Sequence, residues 1–142
     1  EKNKVIAGKT YKFNATELAF FGWSFPESQF RWSENFYSEV EFVPDDSAVS
    51  AESIYVEVYS YSVQKIRVVV NGGYSEEFSL RRGDDVINIT VRSLLKGETV
   101  NTVGFELADA VQPNNGDTRI LSIALKTLRF VKFGEKEIDL VN

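Results

Sequence analysis

The run Ile54-Tyr55-Val56-Glu57-Val58-Tyr59-Ser60-Tyr61 decides the fold class. In an extended chain Ile54, Val56 and Val58 fall on one side, and Tyr55, Glu57, Tyr59 and Tyr61 on the other. That is the period of two of a half-buried strand, not the 3.6 of a helix. Its residues are β-branched and aromatic, the types that fit a pleated surface. Outward along the chain, Lys65-Ile66-Arg67-Val68-Val69-Val70 and the stretch 74–80 flank Asn71-Gly72-Gly73. Residues that accept positive φ between two strand-like runs predict a hairpin. Arg82-Gly83-Asp84-Asp85 reads as another turn, as does Asp45-Asp46. Residues 86–92 resume the alternation, with Ile87, Ile89 and Val91 inward. Residues 100–107 form a further strand, 112–117 a loop, and 120–133 one bent strand or two short ones. Upstream, residues 9–13 and 37–43 read as strands, with an aromatic loop over 20–27. Ser93-Leu94-Leu95-Lys96 is at best one helical turn. About eight short strands with turn signals between them predict an all-β fold: an antiparallel two-sheet sandwich, jelly-roll-like.

The chain has 142 residues, enough for one domain with a real core, and neither a repeat nor a linker divides it, so residues 1–142 are read as a single domain. Its first residue is Glu1, and the expectation is a domain excised from a longer chain. No stretch approaches the roughly 18 apolar residues of a membrane helix, and no signal-peptide pattern is present. Sixteen Lys and Arg against 21 Asp and Glu give a net charge of −5, which argues against a nucleic-acid binder. The chain holds no His and no Cys. Ser-His-Asp and Cys-His catalysis, zinc, haem and iron–sulfur ligation, thiol redox chemistry and disulfides are thereby excluded. The expectation is a non-catalytic domain with no cofactor and no metal.

The aromatic loop carries a motif. Gly22-Trp23-Ser24-Phe25-Pro26-Glu27, then Arg31-Trp32, resembles the GW-x-x-x-E…RW signature of β-sandwich domains attached to bacterial glycosyltransferases and other surface-polysaccharide assembly proteins. Asp117-Thr118-Arg119-Ile120-Leu121-Ser122-Ile123-Ala124-Leu125 resembles the D-x-R-x-L-G-I-A-L segment of such domains, with Ser122 where Gly is usual. The resemblance spans roughly residues 20–133. It implies an accessory role near glycan, with a glycan or polysaccharide as ligand and a glycosyltransferase or another domain of the same chain as partner.

Two aromatic sites compete for that role. Trp23 and Trp32 can pack over one end of the sandwich, with Glu27 and Arg31 close enough to pair if the stretch between them turns. Pyranose rings stack on indoles while carboxylate and guanidinium bind hydroxyls. The alternative is that both indoles fill the core and Glu27–Arg31 staples the loop. The second site is the stripe of Tyr55, Tyr59 and Tyr61, to which neighbouring strands would add Lys65, Arg67, Asn88, Thr90 and Arg92. Against it stands a plain solvated sheet face. Asp109 with the loop 114–119 offers oxygen ligands for calcium, but the spacing fits no complete loop and a turn is the simpler reading. Asn14 and Asn88 begin glycosylation sequons, incidental in a bacterial chain. A glycoside hydrolase would need two of Glu27, Glu57 and Glu106 at a defined separation, which sequence does not provide. The remaining class is a structural or protein-binding sandwich.

Overall fold

The computed structural model describes residues 3–134; residues 1–2 and 135–142 of the predicted domain lie outside the described residues. Among the described residues ten strands appear in chain order: β1 (Thr10–Lys12), β2 (Ala19–Phe21), β3 (Arg31–Trp32), β4 (Tyr37–Phe42), β5 (Ser53–Ser60), β6 (Gln64–Val70), β7 (Tyr74–Leu80), β8 (Gly83–Thr90), β9 (Asn101–Glu106) and β10 (Ile123–Val131). One short helix, α1 (Asp46–Val49), lies between β4 and β5. Sheet I runs β1-β10-β5-β8, with β3 also pairing β10, and sheet II runs β2-β4-β9-β6-β7. Every strand pair is antiparallel. This is the predicted two-sheet, jelly-roll-like sandwich.

The alternation over residues 54–61 does what period two requires. Ile54, Val56 and Val58 are at most 1% exposed and join Ile87, Ile89, Leu128 and Phe130 on the inner side of sheet I. Val40, Phe42, Ile66, Val68, Val103 and Phe105 complete one core cluster from sheet II. Each such side chain contributes roughly 1.5–3 kcal/mol by leaving water. Asn71 and Gly72 take positive φ at the β6–β7 hairpin, as Asn-Gly turns do.

Several sequence expectations are corrected. Asp84 and Asp85 lie in β8, not in a turn, because pairing with β5 continues to Gly83 opposite Ser60. Asp85 then accepts the Arg81 amide at 2.9 Å, closing the turn from the strand side. Asp45 and Asp46 start α1: the Asp45 carboxylate accepts from the Ala48 amide at 3.0 Å, an N-cap. Phe20 and Phe21 belong to β2, since they register with Val40 and Glu39, so the aromatic loop begins at Gly22. Residues 91 and 92 lie beyond the end of β8. The stretch 120–133 holds one strand, β10, irregular between Leu125 and Thr127. At that break its outer edge changes partner, from β3 to β1, and the Phe13 amide donates to the Lys126 carbonyl at 3.0 Å.

Candidate functional site

The strand registers lay out the outer face of sheet I in rows. Asp84, Tyr59, Ala124 and Trp32 form one row, crossing β8, β5, β10 and β3. Val86, Glu57, Thr127 and Lys12 form the next, and Asn88, Tyr55, Arg129 and Thr10 the third. In the first row aromatic rings gather. Trp32 meets Phe30, Tyr59 and Tyr61 edge-on, with centroids at 5.9, 6.1 and 6.1 Å. Ala124, registered between Tyr59 and Trp32, is fully buried. The small residue lets the rings on either side form a shelf.

Beside the shelf lies a groove in two connected parts. One, of about 540 Å³, is lined by Glu57, Val58, Arg81, Asp84, Asp85, Val86 and Lys126. The other, of about 340 Å³, is lined by Lys12, Phe13, Ser28, Gln29, Glu57, Lys126 and Thr127. Glu57 and Lys126 belong to both, so the groove crosses the strands from β8 to β1. The Thr127 hydroxyl donates to Glu57 at 2.5 Å, and the Lys126 ammonium pairs with Asp84. Carboxylates, ammonium groups and a hydroxyl thus line a trough next to the aromatic row of Tyr59 and Trp32, an arrangement suited to a hydroxyl-rich ligand with apolar ring faces.

The motif loop lies elsewhere and is mostly architectural. Gly22 has φ +81°, and a Cβ there would stand 2.6 Å from the Tyr37 carbonyl. Its own carbonyl accepts from the Ser38 hydroxyl at 2.7 Å and the Glu34 amide at 2.9 Å. Trp23 packs edge-on against buried Phe105 at 5.8 Å and donates its indole N–H to the Glu39 carbonyl at 3.0 Å. Glu27 and Arg31 do not pair. Glu27 faces Arg119 at 3.6 Å, and Arg119 binds Asp117 at 2.7 Å. The two sequence motifs therefore meet through Arg119. Arg31 instead fills the seam between β1 and β3, donating to the carbonyls of Ser24 and Phe13 at 3.3 Å each, with its guanidinium 4.2 Å from the Phe20 ring centroid. Burial pushes its pKa down. A guanidinium held this way has little left for a ligand.

The predicted Tyr stripe is partly assembled and partly dispersed. Tyr55, Tyr59 and Asn88 share the outer face of sheet I, and Thr90 follows Asn88 along β8. Tyr61 lies past the end of β5 but returns to Trp32. Lys65 and Arg67 sit on sheet II, where Arg67 faces Glu106 at 3.7 Å. Adjacent in sequence to β5, β6 nonetheless crosses to the other sheet. Arg92 pairs with Glu52 at 2.7 Å beyond β8, away from the groove residues. In the proposed calcium loop Asp117 is held by Arg119, whose hydrogen bonds pull its pKa down to about 2, and Asp109 accepts from the Lys65 amide at 3.2 Å. The amide of Arg119 also donates to Asp117, at 2.9 Å, so the loop is a closed turn. The carboxylates considered for hydrolysis are scattered: Glu57 outside sheet I, Glu106 outside sheet II, and Glu27 on the motif loop.

Among the groove and shelf residues that the sequence does not single out are Phe30, Asp84, Lys126, Thr127 and Lys12. Asp84 would have followed from extending β8 two residues to sit opposite Tyr59. Lys126 depends on the irregularity in β10, which leaves no mark in the local sequence.

No protein family matches the sequence, and no curated protein does. Solved structures share the fold. An acetyl xylan esterase from Butyrivibrio proteoclasticus superposes over 86% of this chain and 32% of its own, at 16% identity and a TM-score of 0.57. An arabinoxylan arabinofuranohydrolase of glycoside hydrolase family 43 from Bacillus subtilis, solved with cellotetraose, covers 91% of this chain and 28% of its own, at 14% identity and 0.55. A family two carbohydrate esterase from Cellvibrio japonicus covers 84% and 32%, at 10% identity and 0.54. The chain spans about a third of the length of the structures it matches. At such identities the likeness establishes the β-sandwich fold alone.

Proposed function

We propose that this domain binds glycan, does no chemistry of its own and serves as an accessory module to a glycan-handling protein. The observation that carries the reading is the shelf of Trp32, Tyr59 and Tyr61 beside a polar groove on one outer face of the sandwich. Apolar faces of sugar rings have aromatic side chains to stack on, and their hydroxyls have Glu57, Asp84, Lys126 and Thr127 within the same trough. Two further points support it. The reported structures of similar fold are carbohydrate-active proteins, one of them solved with cellotetraose. The three carboxylates that the sequence offers for hydrolysis, Glu57, Glu106 and Glu27, stand in three places. The resemblance of Gly22-Trp23…Arg31-Trp32 to glycosyltransferase-associated sandwiches supports bacterial surface-polysaccharide assembly as the setting and a glycosyltransferase as the partner.

Isothermal titration with linear oligosaccharides from plant and bacterial polysaccharides tests the reading. Binding to at least one class is expected with a Kd on the order of 10 µM to 1 mM, since a shallow polar site retains little net free energy per contact. Tyr59→Ala and Trp32→Ala should weaken it. A panel that shows no heat and no chemical-shift change overturns the proposal in favour of a structural or protein-binding sandwich.

A further inference from the structure

Resting on that reading of the groove, we propose that its β1 end takes the carboxylate of an acidic sugar, so that the preferred ligand is a uronic-acid oligosaccharide and not its neutral counterpart. The groove is polarised. At the β8 end stand Asp84, Asp85 and the shared Glu57 with Arg81 and the shared Lys126, three anions to two cations. At the β1 end stand Lys12 and Lys126 with Glu57, two cations to one anion. This concentration of cations occurs in a chain whose net charge is −5, so the general field of the protein does not produce it.

The existing partners leave room for a carboxylate. Lys12 makes no ion pair among the described residues. Lys126 is paired with Asp84, whose side chain is 74% exposed, and so open a pair holds weakly and exchanges easily. A sugar carboxylate between Lys12 and Lys126 would satisfy the first and replace Asp84 at the second. Glu57 does not cancel the site. One of its oxygens is engaged by the Thr127 hydroxyl, and the carboxylate remains an acceptor for the hydroxyls of an adjacent sugar. Phe13, Ser28 and Gln29 close the same end, placing an apolar wall and two hydrogen-bonding side chains around the anion.

The test compares equal-length pairs on the full chain: hexagalacturonate and hexamannuronate against cellohexaose and mannohexaose, by isothermal titration at low and high salt. At least one uronate should bind about tenfold more tightly than the neutral sugars at low salt, the margin separating charged from neutral hydrogen bonds. That margin should shrink at high salt, where exposed charges are screened. Lys12→Gln and Lys126→Gln should each pull the acidic-to-neutral ratio toward one, and Asp84→Asn should raise it. Uronates that bind no better than neutral sugars, or a ratio indifferent to both lysines, overturn this inference and leave glycan binding standing. Absence of binding to all four sugars overturns the glycan reading itself, and this inference with it.

Discussion

Tyr59 on the outer face of sheet I and Tyr37 on the outer face of sheet II are both strand tyrosines, 37% and 47% exposed. Their surroundings differ. Tyr37 lies over Gly104, where an added Cβ would come within 2.1 Å of its hydroxyl, and that hydroxyl donates to Glu39 at 2.9 Å. Burial, then the bond to Glu39 and the charges of Glu39 and Glu106, push its pKa up to about 12. Its ring and its hydroxyl are already engaged by the protein. Tyr59 stands edge-on to Trp32 beside an open groove, and its hydroxyl has no partner among the described residues. Exposure alone thus does not make a site. A binding face needs aromatic surface and polar tips that the fold has left unsatisfied.

The two tryptophans allow the sharpest test of that difference. Trp23→Ala should cost about 3 kcal/mol or more in chemical denaturation, because it empties a place against the core and orphans the Glu39 carbonyl. Trp32→Ala should cost clearly less stability while abolishing most glycan binding. Equal destabilisation would break the distinction between an architectural and a functional indole. Gly104→Ala comes next, with a loss of about 1–2 kcal/mol as the Tyr37 ring is pushed aside. Ultraviolet titration of the phenol should then show the Tyr37 pKa falling from about 12 toward its ordinary value of about 10. Since the folded value is the raised one, Tyr37 stabilises the parent fold below about pH 10, and that contribution is lost as pH rises through about 12. An unchanged titration in the variant would refute the stacking of Tyr37 on Gly104.

Smaller effects follow. Tyr59→Ala should leave the midpoint of unfolding within about 0.5 kcal/mol of the parent and weaken glycan binding roughly fivefold, since an exposed ring packs little core but stacks on a sugar. The smallest effect concerns the motif loop. Asp117 is depressed to about 2 by its hydrogen bonds from Arg119, so its contribution is complete above the unfolded value of about 4 and is lost as pH falls through about 2. Arg119→Gln should flatten the melting temperature across that window, read by circular dichroism, and a parent curve already flat there would contradict the pairing.

The fold was legible because period two is a local signal. Ile54, Val56 and Val58 announce a buried face within eight residues, and Asn71-Gly72 announces the hairpin. The site was legible only in part. Tyr55, Tyr59 and Asn88 follow from alternation within β5 and β8, but joining Trp32 to Tyr59 needs the non-local register of β3 on β10 and β10 on β5. The same gap explains the misplaced partners. Glu27 and Arg31 are close in sequence, yet Glu27 reaches Arg119, 92 positions on, while Arg31 is drawn into the seam beside Phe20. Arg67 is close in sequence to the Tyr strand, yet the crossing of β6 to sheet II carries it to the opposite side.

The central claim is that glycan binds on the outer face of sheet I and not at the motif loop. With only two tryptophans in the chain, the indole N–H region of a proton–nitrogen NMR spectrum tests it most directly. During titration with a bound oligosaccharide, the Trp32 indole signal should move, while that of Trp23, tied to the Glu39 carbonyl, should stay in place. A moving Trp23 signal beside a stationary Trp32 would put the ligand at the Gly22–Glu27 loop and contradict the account.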